Sequence, residues 1–150
     1  MLRLGLMAAL VLAAQAAGGR DMQTAAGQFT VKLSPLPASA DGTQRLSIDK
    51  QFSGELVGTS RGEMLSAGNP AAGEAGYVAL EMVDAALAGR QGRFALQHSG
   101  TMSGGGQALD IRIVPGSGSG GLAGIGGTMA IRIEGGVHHY TLTYDLPTAP

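Results

Sequence analysis

Few side chains in this 150-residue chain are equipped for chemistry, and none of them is a cysteine. Disulfides, thiolate nucleophiles and Cys-ligated metals are therefore excluded. Of the three histidines, His98 closes the run Phe94-Ala95-Leu96-Gln97-His98, where alternation places it on one strand face with Phe94 and Leu96. Glu81 and Asp84 are the charged residues in the otherwise apolar run Tyr77 to Leu87. A turn at Gly89-Arg90-Gln91-Gly92 would fold that run onto Arg93 to Gly100, setting residue 81 opposite residue 100 and Leu87 opposite Phe94. Glu81 then lies on the face of His98 and diagonal to it, within reach of a long side chain. A carboxylate and an imidazole on one buried face perturb each other's pKa and can serve as acid and base. The alternatives are a structural hydrogen bond that satisfies both groups, or a Glu81 turned to solvent.

His138-His139-Tyr140 suggests a metal, but neighbours in a strand point to opposite faces and cannot both ligate one ion without a bulge. His138 shares its face with Tyr140, Leu142 and Tyr144, so it alone of this pair could join His98. With no H-x-x-x-H or H-x-H spacing, no metal site is assigned. Tyr77, Tyr140 and Tyr144 either line an apolar cavity or simply pack. The expected ligand contacts are Tyr77, Glu81, His98, His138 and Tyr140, with Glu81 and His98 the candidates for acid-base work and no cofactor required.

Other motifs fall away on context. Gly116-Ser117-Gly118-Ser119-Gly120-Gly121 satisfies G-x-G-x-x-G, yet Pro115 precedes it and no amphipathic helix follows, so it reads as a connection between strands. No serine stands in G-x-S-x-G on a strand-to-helix turn. Arg112 alternates with Ile111 and Ile113, either facing solvent or acting as an inward anion hook.

The elements that must position these residues are strands. Beyond residue 25 apolar side chains recur with period two, broken by glycine or proline about every ten residues. Eight strands result, at about Gln28 to Leu33, Gln44 to Phe52, Gly54 to Leu65, Tyr77 to Leu87, Arg93 to Gly100, Ala108 to Val114, Thr128 to Ile133 and Val137 to Leu146. Short connections make them an antiparallel meander, and an open sheet of that size would leave two unprotected edges. An all-β, single eight-stranded barrel removes the edges, with a β-sandwich as the alternative.

Composition agrees with one exported domain. Apolar residues make up 44% and charged residues 14%, with a net charge of −1, which offers no basic stripe for nucleic acid. At the N-terminus Arg3 precedes an uncharged apolar run, Leu4 to Ala14, and Ala14-Gln15-Ala16 fits the small-x-small cleavage rule. The run is shorter than the roughly 20 residues of a spanning helix. The expected organisation is a cleavable N-terminal helix serving as signal peptide over 1–16, cut after Ala16, a flexible linker over 17–25, the barrel over 26–146 and a tail over 147–150. The product is then periplasmic or secreted and, after cleavage, free of the membrane.

Four segments carry a family resemblance: Gly76 to Glu81, Arg93 to Gly100 with its Leu-Gln-His-Ser-Gly, Val114 to Gly120 with its Val-Pro-Gly-Ser-Gly, and His138 to Tyr144. Over about residues 26 to 146 the chain resembles a bacterial family catalogued as domain of unknown function 3224. The resemblance implies an eight-stranded barrel similar to that of allene oxide cyclases, without an established activity. Members usually carry Thr where Ser119 stands and an acidic residue where Gly121 stands, and most lack a signal peptide. No loop carboxylate is available here to take a role.

Three functions are compatible with these residues. The leading one is a barrel that binds a small apolar or amphipathic molecule through Glu81, His98 and His138. The second is a cyclase- or isomerase-like enzyme using Glu81 and His98 as an acid-base pair. The third is a structural protein or homo-oligomer with a filled barrel, suggested by the run Tyr77 to Leu87 being apolar on both faces.

Overall fold

The computed structural model describes residues 21–148. The expected signal peptide, and the start of the expected linker, lie outside the described residues. Nine strands follow one another: β1 (Gln23–Leu36), β2 (Gln44–Gly54), β3 (Leu56–Asn69), β4 (Glu74–Leu87), β5 (Arg90–Ser103), β6 (Gly106–Ile113), β7 (Ser119–Gly120), β8 (Gly126–Glu134) and β9 (Val137–Asp145). A single 3-10 turn, Pro70–Ala72, joins β3 to β4.

Antiparallel pairing runs β1-β2-β3-β4-β5-β6-β8-β9 and returns from β9 to β1, closing an eight-stranded barrel. All eight expected strands are present, most of them longer than their apolar alternation suggested, and β1 begins at Gln23 within the expected linker. Closure through the β4–β5 and β1–β9 pairings excludes the sandwich. The two-residue β7 is additional and pairs with β5 at Gly92 and Arg93.

Period-two alternation sorts the side chains as a barrel requires. Phe29, Phe52, Leu56, Val83, Phe94, Leu96, Ile111 and Leu142 point inward and are buried. Burying each such side chain is worth about 1.5–3 kcal/mol, so this interior is the main source of stability.

One register differs from expectation. The β4–β5 hairpin turns at Ala88-Gly89, so Leu87 faces Arg90 and Glu81 faces Leu96, instead of Phe94 and residue 100. Both turn residues have positive φ, 50° at Ala88 and 73° at Gly89, as a two-residue type I′ turn demands. Gly92, read from the sequence as part of the turn, is instead an inward position of β5. A Cβ there would collide with the Ser119 carbonyl oxygen and with Leu122.

The two ends of the barrel differ. At one end the glycine-rich segment between β6 and β8 folds through consecutive tight turns, with Leu122 N–H donating to Ser119 O at 3.2 Å and Ile125 N–H to Leu122 O at 3.2 Å. It carries Leu122 and Ile125 into the core and closes that end. Ser117 ties the segment down: its Oγ accepts from Ala95 N–H at 2.9 Å and donates to Val114 O at 2.7 Å. The segment serves as the connection between strands that was expected.

At the opposite end lie the connections β1–β2, β3–β4, β5–β6 and β8–β9. Here inward-facing apolar side chains are left open: Leu33 of β1 is 48% exposed, Leu109 of β6 46% and Ile133 of β8 61%. This end is the mouth.

Candidate functional site

Four neighbouring strands each contribute one inward polar side chain to a buried cluster. These are Lys50 of β2, Ser60 of β3, Glu81 of β4 and His98 of β5, all of them buried. Glu81 sits opposite Gly62 and Leu96, Lys50 opposite Ser60, and His98 opposite Ala79, so the polar side chains meet along diagonals of the sheet. Glu81 Oε1 accepts from Lys50 Nζ at 2.7 Å and lies 2.8 Å from His98 Nε2. Its Oε2 accepts from Ser60 Oγ at 2.8 Å.

Electrostatics decide the protonation of this group. Burial pushes the Glu81 carboxyl upward, but the His98 hydrogen bond and the Lys50 charge and hydrogen bond outweigh it and hold the pKa at about 2. An ionised carboxylate has only acceptors, so His98 Nε2 carries the hydrogen and donates it. Glu81 is thus a fixed anion that orients an imidazole and an ammonium, and is itself a weak base near neutrality. Lys50 Nζ also stands 4.8 Å from the Phe29 ring centre and 5.9 Å from that of Phe52, which adds cation–π attraction.

Glu81 and His98, expected together from the sequence, do meet. Tyr77 is half-buried on the mouth side of this layer. It faces Gly100 across β4 and β5, and a Cβ at Gly100 would collide with its ring. Burial, and the charge of Glu81, raise the pKa of Tyr77, and its hydroxyl makes no hydrogen bond to the described residues.

The other two candidates lie apart from the carboxylate. The His138 ring packs on Phe29 with centres 5.0 Å apart. Tyr140 is buried, and its hydroxyl accepts from Leu56 N–H at 2.9 Å and lies 3.1 Å from the Ser53 carbonyl oxygen, bridging the β2–β3 connection. Two surface concavities lie on this side of the barrel. One, of about 570 Å³, includes Phe29, Phe52 and His138 in its lining, and the other, of about 520 Å³, includes Tyr140 and His139. Neither is lined by Tyr77, Glu81 or His98. Among the described residues no group of three or more His, Asp and Glu side chains could hold a metal ion.

Sequence reasoning passed over Lys50 and Ser60. The signal for Lys50 was parity, since it falls between the inward residues Ile48 and Phe52 of β2. Ser60 gave the same signal on β3, two residues from Gly58 and two from Gly62.

The fold and this cluster define a class: a closed antiparallel meander barrel, sealed at one end, with an ion-paired polar layer beneath an apolar mouth. Residues 25–144 match a family described as protein of unknown function (DUF3224), and the chain belongs to that family. The crystal structure of a protein of unknown function from the same family, from Shewanella oneidensis MR-1, is 46% identical, with a TM-score of 0.80. The match covers 86% of this chain and 100% of that one. The closed barrel agrees with the cyclase-like fold that the resemblance implied. No curated protein matches the chain.

Proposed function

We propose that this barrel is a binding module for a small amphipathic molecule. The ligand's apolar part lies in the mouth, and its polar end approaches Tyr77 and the Lys50–Glu81–His98 layer. The observation that carries this reading is the exposure of Leu33, Leu109 and Ile133 at inward-facing positions of one end only, while the other end is sealed. Solvent-facing apolar side chains on the inside of a barrel are costly unless something covers them.

The buried cluster supports the same reading. An ion pair in a barrel interior gives less stability than well-packed apolar residues would, so its presence points to a role beyond folding. The free Tyr77 hydroxyl suits a carbonyl, hydroxyl or carboxylate on the ligand.

A second reading follows from the 2.8 Å contact between His98 and Glu81. The carboxylate fixes the imidazole with Nε2–H turned toward it, and Nδ1 becomes the proton acceptor for an unsaturated or carbonyl substrate. In both readings the first 16 residues direct export, which N-terminal sequencing of the mature protein tests.

The discriminating experiment is a thermal-shift screen with dodecanoate, its alcohol and aromatic carboxylates, repeated with Leu33→Asp. Binding of an amphipathic probe that Leu33→Asp abolishes supports the mouth. Absence of binding by every probe, or binding indifferent to Leu33→Asp, overturns it. Conversion of a bound probe that is lost in His98→Ala supports the enzyme reading.

A further inference from the structure

The outer face of the barrel is polar over most of its circumference, as alternation predicts. β2 turns Ser47, Asp49 and Gln51 outward, and β9 turns His139, Thr141 and Thr143 outward. The outer face of β4 departs from this pattern. Val78, Leu80 and Met82 follow one another there, Leu65 of β3 stands beside Val78, and all four are exposed. Leu80 is 59% exposed.

We infer that this face pairs with the same face of a second copy, about a two-fold axis running across the strands between the Leu80 and Met82 rows. A two-fold contact requires that a patch complement itself. The β3–β4 register supplies that complementarity, because Glu63 stands beside Leu80 and Arg61 beside Met82. Rotation about the stated axis sets Leu80 on Met82 of the second copy, and at the same time sets Arg61 on Glu63 and Glu63 on Arg61. An axis through the Leu80 row would instead oppose Glu63 with Glu63. An axis along the strands would set β3 over β5, where Met82 and Leu80 have Ala95 and Gln97 beside them and no charge answers Arg61.

Both charges have capacity to spare. The Arg61 side chain is 87% exposed and pairs with Asp49 at 3.2 Å, using one edge of a guanidinium that has five donors. Glu63 Oε2 accepts from Arg45 at 2.7 Å, which leaves Oε1 available. Leu80 and Met82 supply the dry centre and these pairs its polar flank, while the next rows, Val78 on Asp84 and Leu65 on Thr59 of the second copy, lie at the edge of the contact. The mouth opens at the end of the barrel, away from this face, so pairing leaves it open.

Sedimentation equilibrium of the purified chain over a range of concentrations tests the assignment. The expected result is a dimer. Arg61→Glu and Glu63→Arg alone each weaken it by about tenfold or more, since each places like charges across the axis. Arg61→Glu combined with Glu63→Arg restores it, although Asp49 and Arg45 remain mismatched within each copy. Leu80→Arg gives a monomer with unchanged far-UV circular dichroism. A wild-type chain that is monomeric throughout, a dimer indifferent to Leu80→Arg, or a double swap that fails to recover the dimer overturns the inference.

Discussion

Glu81 is where the chemistry of this chain is concentrated, and its partners explain its behaviour. Three donors satisfy it, two of them cationic or able to become so, inside an apolar barrel. Its folded pKa of about 2 lies below the ordinary 4.5, so the folded state favours the ionised form. The stability this linkage provides is fully present above pH 4.5 and is lost as pH falls through the window from 4.5 to about 2. The difference is worth about 3 kcal/mol. Urea denaturation at pH 7 and pH 2.5 measures it, and the expected result is a fall of that order on acidification. Glu81→Gln combined with Lys50→Met removes both charges without stranding either, and should flatten most of the dependence. Asp41, Glu74 and Asp110 also have lowered pKa values, but they lie on the surface, where such interactions contribute little. The Glu81–His98 pair was legible in the sequence for a specific reason. The expected partner of residue 81 was 100 and the actual one is 96, and residue 98 lies two positions from either, so it is diagonal to Glu81 in both registers. Lys50 was legible only by its parity with Ile48 and Phe52, against its residue type, because a lysine is almost never buried unless paired, and only the carboxylate from two strands away holds it inside.

At the scale of elements, the β4–β5 hairpin shows what spacing alone leaves open. Gly89 and Gly92 bracket a plausible four-residue turn, yet a tight turn needs two successive positive φ values, and Ala88-Gly89 provides them. Ala88 adopts φ 50° with a Cβ, which costs about 1 kcal/mol relative to residues that tolerate the left-handed region. Ala88→Asn creates the Asn-Gly pair that this turn favours, and should raise stability by about 0.5–1 kcal/mol. Equilibrium denaturation checks this, and a loss of stability would show that the turn is not of this type. The glycine-rich segment was legible as a connection, but its second task was not. Nothing in its composition indicates that Leu122 and Ile125, among so many small residues, seal one end of the core. β6 and β8 are adjacent in the barrel, so a connection of this length has chain to spare and folds back over the end.

For the molecule as a whole, closure was legible because eight alternating strands in meander order have few other ways to hide their edges. The asymmetry between the ends was not, because inward parity is the same for Leu33, Leu109 and Ile133 as for Leu56, Leu87 and Leu142, and only the closed barrel distinguishes them. This asymmetry separates stability from binding. Side chains at the sealed end are almost fully removed from water, so truncating Leu122 to Ala should cost the 2–5 kcal/mol usual for a core leucine. The three mouth residues keep about half of their surface in water, so replacing all three with Ser should cost about 2–4 kcal/mol in total, about 1 kcal/mol per site and less per site than Leu122→Ala. If the mouth holds an amphipathic ligand, the triple variant loses that binding while its cooperative unfolding transition is retained, whereas Leu122→Ala weakens folding and leaves the mouth's affinity intact in the folded fraction. Parallel titration calorimetry and thermal unfolding of the two variants make the comparison. A single mouth variant, Leu33→Ser, that unfolds as readily as Leu122→Ala would mean that the mouth is part of the core, and that the barrel is a filled, structural one.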